Sequence, residues 1–152
     1  LKNAFKNNII IVPSWGSSWK YGNYKYLCEV YDDIKSQFSI KINQPVLMAI
    51  SGGGGTAFSF YNKEPERFNS LISLATCPYI TTVRRMKNNL SIIMICGKND
   101  KRFPWTYIKR LVRSMKATVK DFKVKLLAAD HFFFLSHQKE WIEFVKNNTT
   151  LK

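Results

Sequence analysis

The apolar run VLMAI ends at Ser51, and four glycines follow at 52–55 before TAFSF restores an apolar pattern. Five apolar residues bounded by turn-formers suit a buried strand. The glycine block weakens any regular element it interrupts, because glycine gives up the most conformational freedom on ordering. A chain that keeps such a block needs a turn where side chains would obstruct. Two chemistries use a tight turn between a strand and a helix: a serine nucleophile on a strained elbow, and a glycine loop that cradles phosphate. Either one demands a strand followed by a helix, and so an α/β arrangement.

The rest of the chain repeats that order. Residues 9–12 form a short β-branched run closed by Pro13, residues 24–39 carry Leu27, Val30, Ile34 and Phe38 at helical spacing, and 46–50 is the strand before the glycines. A helix over 53–63 stops at Pro65, and strands follow at 70–75 and 91–96, the second ended by Gly97. Pro104 opens a helix with Ile108, Leu111, Val112 and Met115 as its buried stripe. The last strand is 122–127, and Ser136 caps a final helix to about residue 147, with Trp141, Phe144 and Val145 inward. Strands apolar on both faces and alternating with helices predict a mostly parallel sheet covered by helices on both faces, in a single domain over 1–152. Sites in such sheets lie at the carboxyl ends of the strands. There fall residues 13–19, Ser51, the stretch after Ala75, residues 97–100, and Asp130 with His131.

With 152 residues, 45% of them hydrophobic, the chain can bury one ordinary core, and no apolar run approaches the roughly 18 residues of a membrane span. Its three cysteines, Cys28, Cys77 and Cys96, are an odd number, two of them in apolar strand-like runs. They read as buried free thiols, which favours a reducing, cytoplasmic compartment. Neither CxxC nor a Cys/His cluster occurs, so no metal site is expected. The net charge of +14 is concentrated in 84–125, which holds 13 basic residues against Asp100 and Asp121. That segment could touch an anionic surface, although solvated, lysine-rich helix faces are the plainer account of the charge. No nucleic-acid motif accompanies it, and no nucleic-acid partner is expected.

A serine on a strand-to-helix elbow needs small residues two positions before and after it, here Ala49 and Gly53, because a larger side chain would strike the adjoining strand or helix. The turn aims the Gly52 N–H at the place where an oxyanion forms, aided by the positive end of the following helix. A base and an orienting acid must come from other strand ends. Asp100 and His131 lie in the loops after the next-to-last and last strands, and the order Ser51, Asp100, His131 is that of the nucleophile-elbow hydrolases. Each residue also has an ordinary reading: Ser51 as a turn serine, Asp100 as a cap for the Pro104 helix, His131 as a structural histidine buried by 132–134. His137 reads as a surface residue inside the final helix, and Asp130 as a loop hydrogen-bonder. Gly52, Gly54 and Ala57 formally satisfy G-x-G-x-x-A, but residues 71–76 hold no acid for a ribose and no lysine follows the glycines.

Residues 9 to about 146 resemble the C-terminal two-thirds of an α/β-hydrolase domain of the esterase, depolymerase and peptidase-like kind. The resemblance rests on AISGGGGTAF for the elbow, ERFNSLISLATCP for the next strand, IIMICGKNDKRFPW for the acid loop, and LLAADHFFF with EWIEFV for the histidine loop and closing helix. It implies a serine hydrolase acting on an ester, with peptide or amide bonds as further substrates and no cofactor. Ser51, Asp100 and His131 would be catalytic, and Gly52 would be an oxyanion donor. Trp15, Gly16 and Trp19 are candidate pocket residues, with core packing as the alternative for the tryptophans. In the family a first oxyanion donor follows an inner strand that this sequence does not supply. The expectation is therefore an N-terminally incomplete domain, which leaves export open; a degenerate, non-catalytic binding relative is the rival, and 13–19 as the missing hole is the third possibility.

Overall fold

The computed structural model describes residues 23–37 and 44–149. The expected strand at 9–12, and Phe38, Trp15, Gly16 and Trp19, lie outside them. Four strands form where the apolar runs predict: β1 Val46–Ile50, β2 Ser70–Leu74, β3 Ser91–Gly97 and β4 Asp121–Leu127. They pair in parallel in the order β1-β2-β3-β4, with Leu71 opposite Leu47 and Ile92, and Met94 opposite Val124. Parallel neighbours need crossover connections. These are α2 (Gly54–Lys63), the short α3 (Ile80–Val83) and α4 (Trp105–Thr118), while α1 (Asn23–Gln37) precedes the sheet and α5 (Phe133–Ser136) and α6 (Gln138–Asn148) follow it.

Alternation along the strands sends side chains to two cores. On one face Ala49, Leu71, Ile92, Met94 and Cys96 pack with Phe58 of α2 and with Ile108, Leu111 and Met115 of α4, the stripe expected from sequence. On the other, Ile72, Leu74, Ile93 and Ile95 pack with Phe133, Trp141 and Val145. Both faces are therefore covered. β2 and the interior of β3 are buried throughout, and each aliphatic side chain so buried stabilises the fold by about 1.5–3 kcal/mol relative to exposure. β1 differs: Val46, Leu47 and Met48 are half-buried, Ile50 is exposed, and among the described residues only β2 pairs with it. α1 reaches this body through Tyr24, whose ring lies 4.8 Å from that of Phe60.

Three local expectations are corrected. The helix expected from Gly53 begins as a 3-10 turn over Ser51–Gly53, and the α-helix starts at Gly54. Ser136 does not cap the final helix: it ends α5, its hydroxyl meets His137 Nδ1 at 2.8 Å, and His137 stands half-buried at the break between α5 and α6 rather than inside a helix. The chain breaks there, just after α5 buries Phe133 against the sheet, and α6 begins only at Gln138. Of the cysteines only Cys96 is buried in a strand; Cys77 lies just past β2 and Cys28 on α1, both half-buried, and all three are free.

Candidate active site

Ser51 follows the extended Ile50 and takes a φ of 49°. A left-handed backbone at a residue with a Cβ costs on the order of 1–3 kcal/mol and persists only where packing imposes it. Here α2 imposes it. Gly54 is buried, and a Cβ there would sit 1.8 Å from Thr76 Oγ1, so the first turn of α2 lies directly on the turn that ends β2. The expectation placed this close approach at Gly53. Among the described residues nothing lies within 4 Å of a Cβ at Gly53, and the tight position is one residue later, where the 3-10 turn passes into α2. Ala49 is buried in the strand, as a small residue should be.

Thr76, Ser73 and Ala75 were not foreseen. Ala75 is the other non-glycine residue of positive φ among those described, also 49°, and its N–H donates to Ile95 O. Ser73 donates its hydroxyl to Thr76 O at 2.9 Å, fixing the turn that braces Gly54. No local signal in LATCP announces this role, because the brace is a contact between adjacent strand ends.

The acid and histidine loops are joined through their backbones. Lys98 N–H donates to Leu127 O and Asn99 N–H to Ala129 O, at 2.8 and 3.0 Å. A Cβ on Gly97 would fall 2.3 Å from Ala129 O and 2.4 Å from Asp130 O, so only glycine allows the loops this close. Their closeness brings the three candidates together. His131 Nδ1 lies 2.8 Å from Asp100 Oδ2, and His131 Nε2 lies 2.8 Å from Ser51 Oγ. Since a carboxylate oxygen accepts, Nδ1 carries the proton and donates it to Asp100, which leaves Nε2 to accept from the serine hydroxyl. Asp100 Oδ1 in turn accepts from the N–H groups of Arg102 and Phe103, so the residue both ties its own loop and orients the imidazole. It does not cap α4, whose N-cap, Pro104, has no side-chain cap bond.

Asp100 and His131 are 4% and 5% exposed, a burial that strengthens their hydrogen bond relative to water. Phe103 lies nearly parallel to the His131 ring at 6.1 Å, and Phe132 and Phe134 present edges at 5.4 and 6.4 Å. Asp130 accepts from Phe132 N–H, the loop role expected of it. Gly52, directly after the serine, is exposed. A hydroxyl held to an imidazole that is itself oriented by a buried carboxylate is an arrangement able to deliver an alkoxide to a carbonyl carbon and recover the proton. Among the described residues no group of three His, Cys, Asp or Glu side chains could hold a metal, and no helix is long and apolar enough to cross a membrane.

No family model matches the sequence, and no curated protein matches it. Solved structures do. An alpha-beta serine hydrolase homologue from Coxiella burnetii is 20% identical over 97% of this chain and 74% of its own, with a TM-score of 0.66. An esterase of Pyrococcus furiosus is 11% identical over 88% and 65%, at 0.68, and a protein from Thermoplasma acidophilum described as a predicted CIB-like hydrolase is 15% identical over 90% and 64%, at 0.62. The chain thus spans about two-thirds of the length of the last two. Strand order, crossovers and these neighbours agree: the chain has the α/β-hydrolase fold.

Proposed function

We propose that this chain carries the acyl-transfer centre of a serine hydrolase whose substrate is an ester, with peptide or amide bonds as secondary candidates. The observation behind it is the continuous hydrogen-bonded path from Ser51 Oγ through His131 to the buried Asp100, at 2.8 Å on both sides of the imidazole. In this mechanism Ser51 Oγ attacks the carbonyl carbon while His131 Nε2 takes its proton. Asp100 holds the imidazole and stabilises its charged form. The Gly52 N–H, at the start of the turn into α2, supplies one oxyanion donor. His131 then returns the proton to the leaving alkoxide, and a water repeats the sequence on the acyl-enzyme. Ester chemistry suits the esterase among the structural neighbours. A second oxyanion donor falls outside the elbow, and we place it in the segment N-terminal to β1, making the described residues the larger part of a domain that such a segment completes.

An alkyl fluorophosphonate tests this directly, because it phosphonylates an activated serine far faster than an ordinary one. Labelling at Ser51, lost in Ser51→Ala and slowed in His131→Ala, is the expected result. A well-folded chain left unlabelled points instead to a non-catalytic relative that binds a partner, for which the basic segment 84–125 offers a cationic surface to an anionic partner.

A further inference from the structure

Cys77 lies in the turn after β2 and Cys96 near the end of the neighbouring β3, and their sulfurs lie 3.9 Å apart. Cys96 is 2% exposed in β3, while Cys77 is half-buried, the less enclosed of the two. The contact with Cys77, burial, and the nearby Asp100 hold the Cys96 thiol well above the ordinary thiol range. It therefore waits as a protonated partner, and Cys77 meets an oxidant first. We propose that Cys77 and Cys96 are an oxidisable dithiol that a hydroperoxide closes to a disulfide, and that closure loosens the brace under the Ser51 elbow.

The chemistry balances in two steps. Cys77 Sγ attacks the terminal oxygen of the hydroperoxide and the O–O bond breaks, giving a sulfenic acid and an alcohol, or water from hydrogen peroxide. Cys96 Sγ then attacks the sulfenic sulfur, the S–O bond breaks, and the hydroxyl leaves as water with the Cys96 proton. Two thiols are oxidised by one peroxide, and an external dithiol restores them.

The mechanical consequence follows from what can move. A disulfide requires about 2.05 Å between the sulfurs, so the pair must close by nearly 2 Å. β3 is held between β2 and β4, and its end at Gly97 is clamped against the carbonyls of Ala129 and Asp130. The displacement therefore falls on the turn holding Thr76 and Cys77. Thr76 is the residue against which Gly54 rests without spare space. Drawing that turn toward β3 withdraws support from the first turn of α2, the segment that imposes the left-handed backbone on Ser51.

The test uses the full chain in a Cys28→Ser background, which removes the third thiol. Reduced and hydrogen peroxide-treated samples are alkylated and mapped by mass spectrometry, and hydrogen exchange is followed in the peptides covering 50–60. A Cys77–Cys96 link reversed by dithiothreitol is expected, with amide exchange in those peptides about tenfold faster in the oxidised state, as for a locally freed element. Cys77→Ser should show neither change. Cys77 recovered unmodified or as sulfinic acid, with no link, overturns the dithiol; a link that leaves the elbow's exchange unchanged overturns the coupling. Neither readout depends on hydrolysis, so failure here and failure of fluorophosphonate labelling are separate results.

Discussion

The two ends of the same four strands are built differently. At the carboxyl end, Ser51 and Ala75 hold left-handed backbones, Gly54 and Gly97 leave no room for a Cβ, and Asp100 and His131 are buried with their polar atoms paired. At the amino end, Ser91 donates its hydroxyl to Asp121 at 2.6 Å, Lys123 lies 2.9 Å from the same carboxylate, and Asp121 keeps half of its side chain in solvent. Both ends are polar. Only the first combines strain, close packing and desolvation, and those fix where a side chain points. The Ser91–Asp121–Lys123 cluster is wet, and its polar groups have water as an alternative partner. A polar cluster therefore suggests function by how its members are constrained, more than by which residues compose it.

The contrast breaks most sharply at Ser51. On a short p-nitrophenyl ester, Ser51→Ala should lower turnover at least about a thousandfold, the scale for losing a triad member. Retention of about a tenth of the rate would mean that the strained turn serves something other than catalysis. Gly97→Ala comes next, because its Cβ would meet backbone oxygens that cannot rotate away. Overpacking of this kind costs about 3 kcal/mol, read from urea unfolding, and a loss under about 1 kcal/mol would show that the two loops are not clamped.

A smaller pair of changes sharpens the elbow. Gly54→Ala should cost about 1–3 kcal/mol, partly relieved by Thr76→Ala, whereas Gly53→Ala should stay within about 0.5 kcal/mol. Equal effects would remove the Thr76 brace. The smallest effect belongs to the amino end. The hydrogen bond from Ser91, and then Lys123, hold the Asp121 carboxyl below its usual range. A carboxyl depressed in the folded state stabilises above its unfolded pKa, and that contribution is lost as pH falls through the folded value. Solvent screening keeps it under about 1 kcal/mol. Asp121→Asn should therefore be slightly less stable than the native chain at neutral pH and indistinguishable from it in acid. A large difference that persists in acid would make Asp121 structural.

Much of the fold was legible because apolar runs of five to seven residues declare buried strands, and the stripe Ile108, Leu111, Met115 declares the helix that covers them. What escaped was the fine placement of backbone. Gly53 and Gly54 are indistinguishable in a run of four glycines, and only the 3-10 start of the turn decides which faces Thr76. Ser136 has the composition of a cap, yet the helix restarts two residues later because Phe133 is buried against the sheet. Cys77 reads as part of a strand but lies beyond it, since the left-handed Ala75 turns the chain first.

The sequence by itself determined the order of the four described strands and of the long helices between and after them, the presence of a tight strand-to-helix turn at Ser51, and the carboxyl-end loops in which Asp100 and His131 would fall; the short α3 and α5 were not legible in it. Periodicity and turn chemistry act over a few residues, and a few residues suffice to record them. Only the tertiary structure decided that His131 reaches both Ser51 and Asp100, that Thr76 bears on Gly54, and that Cys77 touches Cys96. Those distances join residues 19 to 80 positions apart. They are set by parallel strands packing side by side and by the clamp at Gly97, which no local spacing encodes.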